Sequence, residues 1–225
     1  MSTPRAIHDS RCKEFRLNGF VVLRGFLPRD LVQAMHEQLL PLLLAEHERY
    51  ARGESRAFRS LGRLSLDIGH SIRVLGGPLA DERYLRHPEI EELVRAILGP
   101  EGTWKRGWTQ VECAWKECRH MNWHSDVPLA DAAATGVPRT TRITYNVPLV
   151  DFTWANGALE MLPGTHLHPR PFLADPFHDV RVYPVPLDLS VGDALLRDGN
   201  TLHRGTPNLT DTPRPMLDQT YKSIG

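Results

Sequence analysis

The sequence predicts a mainly β protein with flanking helices. Residues 1–100 read as a mostly helical flank with an opening strand, and residues 101–225 as an antiparallel β-sandwich or jelly roll. Three observations carry this. One amphipathic helix is legible over Pro88–Leu98 and is stopped by Gly99-Pro100. Beyond residue 100 the texture changes to short apolar or alternating runs separated by Pro, Gly, Asn and Asp. The length of 225 residues, with 41% hydrophobic and 24% charged residues, suits one globular domain that buries its core without staples.

The elements follow in order. Gly19-Phe20-Val21-Val22-Leu23 reads as a short buried strand. Pro28 then opens a helix in which Leu31, Met35, Leu39 and Leu42-Leu43 fall near helical spacing, and Pro41 is expected to kink or split it. Residues 49–73 are charged and aperiodic, as in a long loop or weak strands able to cover a pocket. In Pro88–Leu98, Pro88 suits the first helical position, Glu89, Glu91 and Glu92 suit the positive end of the dipole, and Ile90, Leu93, Val94, Ile97 and Leu98 form one apolar face. Strands are expected near Thr103–Trp115, Thr140–Leu149, Ala158–Leu162, Val180–Pro184, Ala194–Arg197 and Met216–Tyr221.

Composition narrows the function classes. Lys plus Arg and Asp plus Glu are both 27, and this zero net charge argues against a nucleic-acid or anionic-membrane partner. The polar N-terminal stretch lacks an apolar signal core, and the longest apolar run, Leu39–Ala45, is interrupted by Pro41 and far too short to span a bilayer. Cys12, Cys113 and Cys118 are odd in number and scattered, unlike a disulfide framework or a four-ligand zinc site. A cytoplasmic protein acting on a small molecule is expected, and no feature encodes an oligomeric state.

Trp123-His124-Ser125-Asp126 carries the chemistry. Residues two apart on an extended segment point the same way, so His124 and Asp126 can reach one metal. His203, after the Val191–Leu196 turn and strand, is well placed as a third ligand. Two histidines and one carboxylate on one face of an octahedron leave three positions open, the arrangement of non-haem Fe(II) oxygenases. Arg214 supplies a planar fork suited to a free carboxylate on a cosubstrate.

Together these motifs resemble the phytanoyl-CoA dioxygenase-like branch of the Fe(II)/2-oxoglutarate-dependent oxygenases. The likeness spans most of the chain. It runs through Gly19–Phe26, His87-Pro88 with Leu98-Gly99-Pro100, and the W-H-x-D at Trp123–Asp126. It continues through Asn156-Gly157-Ala158-Leu159 to Pro163-Gly164-Thr165-His166, and closes on Gly192-Asp193, His203, Asn208 and Arg214. The resemblance implies a double-stranded β-helix, a jelly-roll or cupin-like fold, in a single oxygenase domain. It implies Fe(II) on His124, Asp126 and His203, with 2-oxoglutarate and O2 as cosubstrates and Arg214 anchoring the former. The carboxylate at Asp126, which related halogenases lack, implies hydroxylation or a similar oxidation. Where relatives often carry Ser or Thr two residues after the distal histidine, this chain has Gly205, with Thr206 next to it as a substitute.

In Arg142–Val147 the odd positions are apolar and the even ones polar, a pattern that a strand with one solvated face also gives. Helices covering the outer face, as the resemblance implies, turn Arg142, Thr144 and Asn146 inward. The resemblance implies Asn146 in the 2-oxoglutarate pocket; Gln110, Thr144 and Thr206 are expected there with Arg214, and Arg63, Trp154 and Met121 around the substrate. Trp104, Trp108 and Trp115 are expected in core or pocket wall, His166 as a loop-ordering residue, and Asp193 as a local backbone acceptor. A cupin-like metal-dependent binding protein, or a metalloenzyme that does not use 2-oxoglutarate, is the alternative. Arg214 argues against the first and the two-histidine, one-carboxylate set against the second.

Overall fold

The computed structural model, which describes residues 4–127, 139–168 and 183–224, opens with helix α1 (Pro4–Asn18) and strand β1 (Phe20–Leu23). Helix α2 (Arg29–Ala51) runs unsplit through Pro41. Pro41 and Glu37 both lie on the exposed face, so the carbonyl that loses its partner at Pro41 faces solvent while Leu31, Met35, Leu39 and Leu43 stay buried. The aperiodic stretch contains β2 (Phe58–Ser60), β3 (Arg63–Asp67) and α3 (Gly69–Leu75). A 3-10 turn (Gly77–Ala80) and α4 (Glu82–Leu85) lead to α5 (Pro88–Leu98), whose bounds match the sequence reading. His87 Nδ1 accepts from the Glu89 N–H at the start of α5, and Gly99, at φ 110°, ends it where an L side chain would be strained.

The β part contains β4 (Trp104–Ala114), β5 (Arg142–Pro148), β6 (Leu159–Met161), β7 (Val185–Leu187), β8 (Ala194–Asp198), β9 (His203–Gly205) and β10 (Arg214–Ser223). The strand expected near Val180–Pro184 lies mostly outside the described residues. Residues 180–182 lie outside the described residues, Tyr183 and Pro184 are not in a strand, and β7 begins at Val185. The strands form one antiparallel sheet of seven, β1-β8-β5-β10-β4-β3-β2, and one of three, β7-β6-β9. This is the jelly-roll arrangement of the double-stranded β-helix.

Register decides what each face does. Along β5 and β10, Ile143 pairs Tyr221, Tyr145 pairs Gln219 and Val147 pairs Leu217, and these rungs face the core shared with the helices. The alternate rungs face the small sheet. They are Arg63–Ala114–Arg214, then Ser65–Glu112–Met216, then Gln110–Asp218–Asn146, then Thr220–Thr144–Arg197. A second apolar cluster joins the sheets, with Phe20, Leu195 and Met216 against Leu159, Met161 and Leu187. Burying each such side chain contributes roughly 1.5–3 kcal/mol, so the two sheets are clamped at one end and open into a cavity elsewhere.

Candidate metal centre and its cavity

A cavity of about 360 Å³ opens between the sheets, lined among others by His124, Asp126, His203, Arg197, Arg63 and Arg214. His124 and His203 are a cross-strand pair: each backbone N–H donates to the other's carbonyl, at 3.1 and 2.9 Å. Directly opposed residues send their side chains to the same face, and Asp126, two residues on, joins them. One ligand atom from each of the three lies within 4.8 Å of the others, and Asp126 Oδ1 is 3.7 Å from His203 Nε2.

The donor chemistry fits one divalent ion. The Nδ1 of His124 bonds the Asn122 carbonyl and that of His203 bonds the Thr201 carbonyl, both at 2.9 Å. Each carbonyl requires an N–H on that nitrogen, which leaves both Nε2 lone pairs free to coordinate. Burial, aided by Arg197, pulls His203 down to about 3, so the ring is neutral at physiological pH. Burial opposes ionisation of Asp126, but Arg197 and then His203 outweigh it and hold the carboxyl well below the usual range. Arg197 Nη1 donates to Asp126 Oδ2 at 2.6 Å and Thr144 Oγ1 donates to the same oxygen at 3.3 Å, leaving Oδ1 for a metal.

Behind the candidate ligands runs a polar network, of which sequence reasoning missed Arg197, Glu112 and Asp218. Arg197 Nε donates to Asn146 Oδ1, and Asn146 Nδ2 donates to Asp218. Asn146 is fully buried and reaches the centre through Arg197. Gln110 lines the cavity and donates to Glu112. Burial and then Glu112 push Asp218 up to about 7.

This has a consequence for stability. The folded metal-free protein keeps a proton on Asp218 that the unfolded chain releases from about pH 4, so stability is lost as pH rises from there to about 7. Asp218→Asn removes that loss. Its gain over wild type should be near zero at pH 4 and grow by up to about 1.4 kcal/mol per unit towards pH 7. Urea unfolding at several pH values measures it, and a pH-independent difference would show that Asp218 titrates normally.

Arg214, at the start of β10, is 6% exposed and its guanidinium lies 4.4 Å over the Phe152 ring. Its Nε has no partner, and among the described residues no carboxylate pairs with it. Asn208, fully buried, donates to the carbonyls of Ala114 and Thr212. Arg63 and Met121 line the same cavity.

Three of the residues expected around cosubstrate and substrate do not line this cavity, and the first is Asn146, fully buried behind Arg197. Trp154 is 67% exposed in the turn before β6 and does not line this cavity. Thr206 does not line it either, because its hydroxyl donates to the Ala158 carbonyl at 2.7 Å. Backbone alternation turns Gly205 inward and Thr206 away.

The other residues singled out are structural. His166 bonds the Arg16 carbonyl. Asp193 accepts from the N–H groups of Ser190 and Gly25 and from Arg24. Trp115 stacks on His47 in the core, while Trp108 forms cavity wall with Arg142 and Lys222 over its ring. The three cysteines are buried and free, and among the described residues no helix is long and apolar enough to cross a membrane.

A model of the phytanoyl-CoA dioxygenase (PhyH) family matches residues 15–216. The chain is 29% identical to "Dioxygenase FrzG" of Cladobotryum sp, over 92% of this chain and 70% of that protein. It is 26% identical to "Fe(II)/2-oxoglutarate-dependent dioxygenase nvfF" of Aspergillus novofumigatus, over 92% of this chain and 69% of that one. Among solved structures, the non-haem alpha ketoglutarate dependent epimerase SnoN from nogalamycin biosynthesis superposes with a TM-score of 0.65 at 23% identity, over 97% of this chain and 84% of that one, which speaks for a shared fold.

Proposed function

The chain belongs to the phytanoyl-CoA dioxygenase family, and we propose that its cavity oxidises a C–H bond of a small organic molecule with Fe(II), 2-oxoglutarate and O2, releasing succinate and CO2. Its class is that of the 2-oxoglutarate-dependent non-haem iron dioxygenases. The observation that carries the reading is one cavity with a His124–Asp126–His203 donor set and a buried arginine, Arg214, that no acidic group among the described residues neutralises. A buried charge without a partner calls for one, and an anionic cosubstrate supplies it.

In this reading His124, Asp126 and His203 hold the iron, and Arg197 with Thr144 fixes the Asp126 carboxylate so that one oxygen faces the metal. Iron with bound 2-oxoglutarate supplies the oxidising power needed to attack an unactivated C–H bond. The protein excludes water and orients the reactants, and burial keeps the His203 ring neutral. Arg214 takes the distal carboxylate of 2-oxoglutarate by charged, paired hydrogen bonds. Asn146 and Gln110 steady the wall around it.

The cavity is at the small end for ligand sites and is shared with the cosubstrate, so the substrate is small or enters by one end. Glu112, Asp218 and Gln110 offer acceptors midway along, which suits a substrate bearing hydroxyl or amino donors. Met121, Trp108 and Arg142 form its apolar and cationic margins. We place the substrate among specialised metabolites and the protein in the cytoplasm, where three free cysteines remain reduced.

Anaerobic titration of the Fe(II)-loaded protein with 2-oxoglutarate tests this. A visible charge-transfer band should need both components and be lost in His203→Ala. Bound iron with no response to 2-oxoglutarate would favour a cupin-like binding protein or a 2-oxoglutarate-independent metalloenzyme.

A further inference from the structure

The cavity holds a second buried arginine, and its position explains the missing side chain at residue 205. Arg63 and Arg214 flank Ala114 on one rung of the large sheet, on β3, β4 and β10 in order. Residues on one rung face the same way, and the two arginines stand two strand spacings apart, about 9.6 Å between Cα atoms. Between them Ala114 presents only a methyl group, which leaves room over the rung. The charges are close enough that Arg63, after burial, is the main influence lowering Arg214, to about 10.

Arg63 is 8% exposed. Its Nε and Nη2 donate to the Arg119 carbonyl, and Nη2 also to the Thr206 carbonyl. No carboxylate pairs with it among the described residues. Its Nη1 lies over Gly205: a Cβ built there would be 2.4 Å from that nitrogen. The glycine is thus a matter of space, since any side chain would displace the guanidinium. Gly205 is two residues beyond His203 on β9, about 7 Å along the strand from a candidate metal ligand.

We infer that Arg63 is a second arm for the distal carboxylate of 2-oxoglutarate, closing with Arg214 on the carboxylate from the other side, with Gly205 kept bare to admit it. This rests on the assignment of 2-oxoglutarate as cosubstrate and moves Arg63 from the substrate side to the cosubstrate side. Two guanidiniums held at one end of a cavity repel each other until an anion arrives between them. A carboxylate with two oxygens, each with two lone-pair sites, takes bonds from both.

The test is binding, measured by calorimetry without O2 on protein loaded with Fe(II), using 2-oxoglutarate and 2-oxovalerate. The second probe has the same chain length and the same metal-binding end but no distal carboxylate. Arg63→Ala should weaken 2-oxoglutarate by about 10- to 100-fold, as for loss of one charged hydrogen-bonding partner, and leave 2-oxovalerate within about twofold. Gly205→Ser should weaken 2-oxoglutarate in the wild-type background but add no further loss to Arg63→Ala, where the space is empty. Arg63→Lys should fall between.

An Arg63→Ala protein that binds 2-oxoglutarate as wild type does would overturn the inference. So would equal losses for both oxo acids, which would mark Arg63 as a brace for the Arg119 and Thr206 carbonyls. If wild type binds 2-oxovalerate and 2-oxoglutarate equally, no distal carboxylate site exists and the inference falls with Arg214's role. If wild type binds neither, the proposed function itself fails.

Discussion

Asp126→Ala is expected to abolish oxidation, to weaken Fe(II) binding by at least about 100-fold, and to destabilise the metal-free protein by about 1–3 kcal/mol. The first two effects follow from losing the single anionic donor of a three-residue set. The third comes from Arg197, which is buried and gives its Nη1 to Asp126 at 2.6 Å. Alanine leaves that guanidinium in place with its charge unanswered. Asp126→Asn separates the effects, because an amide oxygen still accepts from Arg197 but brings no charge to the metal. It should recover part of the stability and little of the iron affinity. The Asp126 carboxyl is held well below the usual range, so its contribution is present above the ordinary carboxylate pKa and lost only as pH falls through the depressed value. The alanine deficit should therefore be equal at pH 6 and pH 8. Iron titration and urea unfolding measure both quantities, and undiminished turnover in Asp126→Ala would remove the residue from the ligand set.

His124 and Asp126 were legible as a candidate metal-holding pair because their geometry is local. His124 and Asp126 are two apart on an extended segment, and that spacing alone puts them on one face. Strand alternation divided Ile143, Tyr145 and Val147 from Arg142 and Thr144, and the family resemblance, with helices over the outer face, put the first set under the helices and the second in the cavity, as the register shows. The same alternation applied from His203 excludes Thr206 and selects Gly205.

What the sequence hid depends on pairing across long separations. Arg197 follows Leu195-Leu196 and reads as the polar end of a strand. Its burial makes sense only when Asp126, 71 residues earlier, and Asn146, 51 earlier, are brought against it. Glu112 and Asp218 read as solvated strand residues until the Ser65–Glu112–Met216 and Gln110–Asp218–Asn146 rungs turn them inward. Helix α1 shows no apolar stripe because only Cys12 and Phe15 of its described side chains are buried. Strand β9 has three residues, too few for a period to appear. Pro41 misled in the opposite direction, since a proline on a solvent-facing edge leaves its helix unsplit.

Arg214→Ala should raise the dissociation constant for 2-oxoglutarate by about 30- to 5,000-fold, the range for removing one partner of a buried charge pair at 2–5 kcal/mol. The same substitution should leave the metal-free protein no less stable, or make it more so. The two effects have opposite signs because Arg214 has no carboxylate among the described residues to lose. Its Nε is unpartnered, its charge is desolvated, and Arg63 repels it, so the folded protein without ligand carries a strained cation. Truncation forfeits chiefly the stacking of the guanidinium over the Phe152 ring at 4.4 Å. Arg214→Met retains much of that packing while removing the charge, so it should be at least as stable as wild type and still bind 2-oxoglutarate poorly. A structural arginine would behave otherwise, with its removal lowering the melting temperature and binding falling only in proportion. Calorimetric titration and thermal unfolding of the same samples distinguish the two, and a destabilised Arg214→Met that binds 2-oxoglutarate normally would place the cosubstrate carboxylate elsewhere in the cavity.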